Sequence, residues 1–185
     1  PTETLSPAAL PKLKEWVENG GTLITTGSAY KLTNKAKITD FKTLSQGKKK
    51  EKVEGNAHIE YKPYHNTAKS KSGIEGVIFN CHLDITSPLG YGYENPNVAI
   101  MKNGTTVMDF SQIKGSSPMQ YTKQPYLSGC VSPENIQRIA NAPASIVSEC
   151  GKGNVIWFAD DLNYRSYWFG GTKIFMNAIY FGQLY

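Results

Sequence analysis

Apolar residues recur at helical spacing in the first twenty positions of the chain. Those that fall on one helical face are Leu10, Leu13, Trp16 and Val17. Ser6-Pro7 is a typical helix start, because serine caps the first turn and proline suits the first helical position. Asn19-Gly20-Gly21 ends the helix, and the β-rich run 22–26 follows directly. The pattern predicts a helix that leads into a strand, the second half of a βαβ unit.

The middle of the chain predicts mostly strands. Residues 76–85 begin with a continuous apolar run and end before Ser87-Pro88-Leu89-Gly90, so they predict one long strand. Residues 98–101 and 105–108 flank Asn103-Gly104, the typical signal of a two-residue β-hairpin. A shorter strand is predicted around 58–61.

Helices and strands alternate again in the last third of the chain. Ser132-Pro133 predicts a helix to about residue 139, and residues 144–149 and 154–158 predict two strands joined by 150–153. A last helix is predicted over 171–180. Its inward positions are predicted to be Ile174, Phe175, Ala178 and Ile179. This alternation predicts an α/β fold with a β-rich middle, although the chain begins with a helix where such sheets usually begin with strands.

Composition indicates one globular domain over residues 1–185. Hydrophobic residues make up 39% of the chain, and no run approaches the roughly 20 apolar residues of a membrane span. The net charge is +5, and the lysines cluster in the stretch 31–72, which contains Lys48-Lys49-Lys50. Arginine, which matches phosphates and base edges bidentately, is absent from that stretch. We therefore expect a solvated loop or insertion and no nucleic-acid binding, with polyanion or glycan binding as the alternative.

Cys81-His82 is the first candidate for catalysis. A cysteine nucleophile needs a nearby base and an exposed position at a sharp turn, whereas both residues fall inside a predicted strand and point to opposite faces. We therefore expect Cys81 to be a buried apolar residue and the chain to hold no catalytic residue. A divergent cysteine hydrolase or amidotransferase that uses Cys81 is the alternative.

The histidines and the other cysteines give weak metal and disulfide signals. His58 with Glu60, and His82 with Asp84, have the spacing of one strand face, but neither matches a common zinc motif; His65 stands alone. We therefore expect no metal site in this chain. A Cys130–Cys150 disulfide stays open, because the sequence does not give the separation of the two residues.

The best candidate site follows the last predicted strand. Asp160 and Asp161 fall at its C-terminal end, where open α/β sheets bind ligands. An aromatic-rich segment with one arginine comes next. We expect an interface or a ligand lip, or else a loop that packs its own rings, made of Asp160, Asp161, Asn163, Tyr164, Arg165, Tyr167, Trp168 and Phe169.

The order of several segments resembles one accessory domain. The segment 158–178, with Phe158-Ala159-Asp160, Asn163-Tyr164-Arg165 and Phe175-Met176-Asn177-Ala178, resembles the end of the class I glutamine-amidotransferase-like domain of bacterial zinc carboxypeptidases of the carboxypeptidase A type. Further similar segments are Leu5-Ser6-Pro7, residues 16–24, 87–92, 127–129 and 151–153. The resemblance covers most of the chain except about 31–72.

This resemblance implies a flavodoxin-like three-layer α/β/α sandwich without its first strands, so that the chain would be a piece of a larger protein. It implies a non-catalytic domain for domain packing, substrate presentation or assembly. The zinc would belong to an upstream catalytic domain of the same polypeptide, which would act on peptides and be periplasmic or secreted. Oligomers are compatible with this interpretation. The working amidotransferase pattern is absent, because no histidine follows His82.

Overall fold

The computed structural model describes residues 5–44, 73–109, 115–166 and 168–185. In these residues the chain forms four α-helices and six strands, in the order α1 (Ala9–Glu18), β1 (Thr22–Thr26), α2 (Tyr30–Lys35), β2 (Val77–Leu83), β3 (Asn97–Lys102), β4 (Met119–Ser128), α3 (Pro133–Ile139), β5 (Ser145–Cys150), β6 (Gly153–Phe158) and α4 (Thr172–Phe181). The predicted α/β class is confirmed. The predicted strand near 58–61 and most of the lysine-rich stretch lie outside the described residues.

The first helix differs from its prediction at its start and on its inner face. It begins at Ala9, and Ser6 contributes its backbone carbonyl, which accepts from the Ala9 N–H at 2.9 Å, in place of a side-chain cap. Val17 is fully buried, whereas Trp16 is 51% exposed. The indole lies against Gly21, where an added Cβ would come within 2.6 Å of the ring. The aromatic side chain therefore covers the helix end and not the core.

One sheet has the strand order β1-β6-β5. β1 runs parallel to β6, with Thr22 opposite Asn154 and Thr26 opposite Phe158. β5 and β6 form an antiparallel hairpin, as the two apolar runs around 150–153 predict. Among the described residues β1 is therefore the outer strand of this sheet.

A second, antiparallel sheet has the order β3-β2-β4. The start of β4 also bonds to the β5 side of the first sheet. The Ala144 N–H donates to the Met119 carbonyl at 2.8 Å, and the Tyr121 N–H donates to the Ala142 carbonyl at 2.9 Å. These bonds join the two sheets along one line, so residues near the start of β4 lie at the centre of the molecule.

Helices cover both faces of β6, all of whose residues are buried. On one face Val155 belongs to an apolar cluster with Leu10 and Val17 of α1. On the other face Ile156 belongs to the main core together with Ile174 of α4. This two-sided burial is typical of a strand in an α/β sheet. The flavodoxin-like three-layer arrangement stays a prediction.

The hairpin predicted at Asn103-Gly104 is wrong. β3 pairs with β2, and Met108 forms a bridge with Thr43. The Asn103 side chain accepts from the Gly76 N–H at 2.7 Å, which holds the turn against the start of β2. Residues 105–108 therefore run away from β3. No helix among the described residues is long and apolar enough to cross a membrane.

Candidate functional site

The acidic pair that follows β6 does not form one carboxylate site. Asp160 is only 3% exposed, whereas Asp161 lies at the surface. The Asp161 carboxylate accepts from the backbone N–H of Asn163 at 3.1 Å and so stabilises a local turn. The two side chains therefore have different surroundings and different roles.

Asp160 lies in a closed polar cluster with Lys102 and Tyr121. Lys102 Nζ lies 3.1 Å from one carboxylate oxygen of Asp160, and the Tyr121 hydroxyl donates to the other. Lys102 also donates to the Tyr121 hydroxyl at 3.3 Å. Lys102 is 0% exposed and Tyr121 is 2% exposed. The cluster thus ties the end of β3, the start of β4 and the second residue after β6 together inside the core.

Burial and the charge of Asp160 keep the Tyr121 hydroxyl and the Cys81 thiol protonated. Burial, and then the negative charge of Asp160, raises the pKa of the Tyr121 hydroxyl well above its usual value, so that tyrosine remains a hydrogen-bond donor. Burial likewise raises the pKa of the Cys81 thiol, with a further contribution from Asp160. Cys81 is 0% exposed, which is the expected buried position and unsuitable for a nucleophile.

This arrangement compensates the buried charge of Asp160. A buried charge is tolerated when an opposite charge and hydrogen bonds compensate for its lost hydration. Here one lysine and one tyrosine engage both oxygens of Asp160, and each of the three side chains is nearly or fully shielded from solvent. The described geometry therefore leaves Asp160 engaged within the core and not presented to a ligand.

The segment after Asp161 is irregular and partly exposed. Arg165 and Ser166 have positive φ angles of 50° and 57°, which non-glycine residues adopt uncommonly. The Arg165 guanidinium lies 5.1 Å from the centre of the half-buried Tyr164 ring. Tyr167, a predicted member of the same lip, lies outside the described residues.

The next two residues of the predicted lip differ in exposure. The half-buried Trp168 is anchored through its indole N–H, which donates to the Ala99 carbonyl of β3 at 3.2 Å. Phe169 is 79% exposed. Of the predicted site residues, the structure therefore places Asp160 in the core and leaves Phe169 as a bare ring at the surface.

A larger apolar surface lies on α4, and our sequence reasoning missed it. Ile174 and Ala178 are fully buried, but Ile179, predicted to point inward, is 49% exposed. The inner position is taken by Asn177, whose amide donates to the carbonyls of Leu89 and Tyr91, each at 2.9 Å. The packed face of α4 therefore contains Asn177, which bonds to a neighbouring turn, and not Ile179 as the sequence predicts.

The outward side of α4 and of the turn that follows it is also apolar. We call it the α4 surface; its exposed fractions are 40% for Met176, 49% for Ile179, 70% for Tyr180 and 63% for Leu184. Met176, Ile179 and Tyr180 lie three and four positions apart on α4 and are neighbours there, and Leu184 lies in the turn that follows the helix. The run of apolar residues on all sides of 174–184 was the available signal in the sequence.

The cysteines and histidines considered for a disulfide or a metal site do not lie together among the described residues. All three cysteines are free thiols, so Cys130 and Cys150 are not joined. His82 is exposed on β2, while His58, Glu60 and His65 lie outside the described residues. Within the part of the chain that the structure describes, no three His, Cys, Asp or Glu side chains lie together as a metal site would require.

Comparison with solved structures gives a likeness in fold. No family model matches the sequence, and no significant match is found among curated proteins. The cytoplasmic protein STM3548 from Salmonella typhimurium is similar in structure, with a TM-score of 0.51 and 17% sequence identity. The match covers 96% of this chain and 61% of that chain. At this identity the likeness shows a shared fold alone.

Proposed function

We propose that this chain is a non-catalytic accessory domain that packs against another part of a larger protein, and that the α4 surface is its contact face. The observation that carries the proposal is the exposure of Tyr180 (70%) on α4, whose opposite side is buried in the core, and of Leu184 (63%) in the turn that follows. A helix that is apolar on all sides is normally covered on all sides. Contiguous exposed apolar side chains are typical of interaction sites.

The composition of the α4 surface supports a protein partner. Residues 176–185 contain no Asp, Glu, Lys or Arg, and they include methionine and three aromatic residues. The centres of protein interfaces are depleted of charged residues and enriched in methionine and aromatic side chains. The occupant that fits is therefore an apolar protein surface and not a polyanion.

The closed polar cluster supports the non-catalytic part of the proposal. Asp160 and Lys102 are engaged with each other, and Cys81 is buried and protonated. None of these groups is available to a substrate in the described geometry. A cysteine hydrolase that uses Cys81 therefore lacks structural support.

We further propose that the larger protein is zinc carboxypeptidase-like and exported to the periplasm or secreted. The resemblance of the segments 5–24, 87–92 and 158–178 supports this context. Zinc and the peptide substrate would then belong to the upstream catalytic domain. The structural neighbour is described as cytoplasmic, and it lends no support to export.

Side-chain footprinting tests the contact face. Hydroxyl radicals would label the complete gene product, isolated without denaturation from its native host, and separately this 185-residue chain. We expect Tyr180 and Met176 to be labelled at least about tenfold more slowly in the complete product, because a hot-spot pocket excludes solvent. Tyr126, which is 45% exposed on β4, is the matched control and should be labelled equally in both. Equal labelling of Tyr180 in both samples would overturn the proposal.

A further inference from the structure

Lys102 and Asp160 place a buried amine against a buried carboxylate. Lys102 Nζ lies 3.1 Å from Asp160 Oδ1, and the two side chains are 0% and 1% exposed. They belong to different sheets, because Lys102 ends β3 and Asp160 lies two residues after β6. A buried amine next to a carboxyl group can react with it as well as pair with it, and three features of this cluster favour the reaction.

The first feature is proximity. Reacting atoms in proteins are typically held about 3–3.5 Å apart, which corresponds to an effective concentration of about 10⁵–10⁸ M. Oδ1 is bonded to the carboxyl carbon Cγ of Asp160, so rotation of the carboxyl group turns Cγ toward the amine. The terminal torsion of an aspartate side chain is broad and permits this rotation. The fold thus supplies the proximity that separate amines and carboxylates lack in water.

The second feature is the apolar surroundings. An amine must lose a proton before it can act as a nucleophile, and an apolar environment disfavours two separate charges. Burial therefore favours transfer of a proton from Lys102 Nζ to the Asp160 oxygen beside it. Formation of an amide releases water. Because the cluster is shielded from solvent, with Tyr121 only 2% exposed, little water reaches the amide to reverse the reaction.

The third feature is the Tyr121 hydroxyl, which contacts both reacting groups. It donates a hydrogen bond to Asp160 Oδ2 and accepts one from Lys102 Nζ at 3.3 Å. Burial raises the pKa of this hydroxyl, so it keeps the proton that it donates. An edge contact with Phe79, with ring centroids 5.8 Å apart, holds the tyrosine ring. A fixed donor at Oδ2 stabilises the negative charge that develops on this oxygen when an amine attacks Cγ.

We propose that Lys102 and Asp160 join through a covalent isopeptide bond, so that this pair is a self-modification site in the core. Lys102 passes one proton to Oδ1, and the nitrogen lone pair then forms a bond with Cγ. The charge that appears on Oδ2 is stabilised by Tyr121. When the carbonyl at Oδ2 forms again, the Cγ–Oδ1 bond breaks, and Oδ1 leaves as water with a second proton from the nitrogen. Of the three ammonium protons, two leave in water and one stays on the amide, and no co-reactant is consumed.

The bond joins β3 of the second sheet covalently to the end of β6 in the first. The ion pair described above is the state that precedes it. A cross-link between positions 102 and 160 closes a long loop and restricts the unfolded chain, as a disulfide does in other proteins. The three cysteines of this chain are free thiols. The inference does not involve the α4 surface, so it succeeds or fails separately from the proposed function.

The intact mass of the folded 185-residue chain tests the proposal. After incubation at neutral pH we expect most molecules to weigh less than the sequence requires by one water molecule. Tandem mass spectrometry should then find one branched peptide that joins positions 102 and 160. Lys102→Met, which lacks the amine, should keep the full mass. Lys123→Met, at an exposed lysine of β4, is the matched control and should lose water as the wild-type chain does.

The rate of the water loss tests the part assigned to Tyr121. Tyr121→Phe removes the donor to Oδ2, and we expect it to slow the reaction by about 100-fold or more, as loss of one such donor does in enzymes. Tyr126→Phe, at a residue 45% exposed on β4, should react at the wild-type rate. Equal rates for the two variants would overturn the part assigned to Tyr121.

The wild-type chain alone can overturn the whole proposal, whether or not the variants fold. A full sequence mass after prolonged incubation of the folded protein would show that the pair stays ionic. A water loss that maps to another residue, such as a cyclic imide at another aspartate, would show a different reaction.

Discussion

Lys102 shows how far a residue's surroundings can differ from its position in the sequence. It follows an apolar run and precedes Asn103-Gly104, where a lysine normally ends a strand in solvent. In the structure it is fully buried, because the fold brings Asp160 to it from 58 positions further along the chain. Lysine is almost never fully buried unless it is paired. The sequence identified Asp160 as important but gave no sign of its partner.

Removal of one charge from this cluster should be costly. Lys102→Met leaves Asp160 buried without its opposite charge, and we expect the free energy of unfolding to fall by about 3–5 kcal/mol. The measurement is urea denaturation. The double variant Lys102→Met/Asp160→Asn should be more stable than the single variant, since it leaves no unpaired charge. A loss below about 1 kcal/mol for Lys102→Met, typical of a surface pair, would contradict this account of the cluster.

Alkaline pH should weaken the fold through Tyr121 and Cys81. Their folded pKa values are raised, so above the ordinary values of about 8.5 for cysteine and about 10 for tyrosine the unfolded state loses protons that the folded state keeps. The free energy of unfolding therefore keeps its full value below those pH values. Above them it falls by about 1.4 kcal/mol per pH unit for each such proton. Unfolding free energies measured from pH 7 to 11 test this. Tyr121→Phe should reduce the slope above pH 10, whereas the exposed control Tyr126→Phe should not.

Thiol reactivity should distinguish Cys81 from Cys130. Cys81 is 0% exposed, whereas Cys130 is at the surface. We expect iodoacetamide at pH 8 to modify Cys130 in the folded protein and Cys81 only after unfolding, because alkylation requires an accessible thiolate. Mass spectrometry of the labelled peptides gives the result. Modification of Cys81 at the rate of Cys130 would restore the cysteine hydrolase hypothesis.

At the scale of elements, the sequence predicts the helix starts and turns that neighbouring residues determine. Ser132 caps α3 by accepting from the Asn135 N–H at 3.3 Å, with Pro133 in the first turn. The β5–β6 hairpin and the β1 strand after Gly20-Gly21 also form where the turn residues indicate. In each case the residues that decide the structure lie within a few positions of each other.

β4 was missed because its sequence argues weakly for a strand. It contains Pro125 and the polar residues Thr122, Lys123 and Gln124, and its register with β2 shifts by three residues between Tyr121 and Tyr126. Proline is tolerated in strands at edges and bulges. The pairing of this segment with both β2 and β5 comes from the tertiary fold, which periodicity along one segment does not reveal.

The two isoleucines of α4 provide a test at this scale. Ile174 is fully buried and Ile179 is half exposed, although the sequence predicts both to point inward. We expect Ile174→Ala to cost about 2–5 kcal/mol of unfolding free energy, and Ile179→Ala in the 185-residue chain to cost less than about 1 kcal/mol. Thermal and urea denaturation measure both. Equal losses of unfolding free energy for the two variants would show that Ile179 is packed in the core, and would contradict this description of α4.

At the scale of the whole molecule, the α/β class follows from the alternation of elements, but the architecture does not. The line of bonds between β4 and β5 that joins the two sheets depends on pairs such as Met119 with Ala144. The candidate site divides in the same way. Phe169 belongs to the segment that the sequence offers as a site and is exposed, whereas the α4 surface depends on Asn177 taking the inner position, which helical spacing does not predict.

The central claim is that the α4 surface is covered in the complete protein. Ile179→Glu introduces a charge there, and Leu127→Glu, at a residue 51% exposed on β4, is the matched control. In the 185-residue chain we expect both to change the free energy of unfolding by no more than about 0.5 kcal/mol, as surface substitutions usually do.

In the complete gene product from the native host, Ile179→Glu should lower the unfolding free energy of this domain by at least about 2 kcal/mol, the size of an interface hot spot. Leu127→Glu should have the same small effect there as in the 185-residue chain. A small effect of Ile179→Glu in both samples would show that nothing packs on α4, and it would contradict the proposed function.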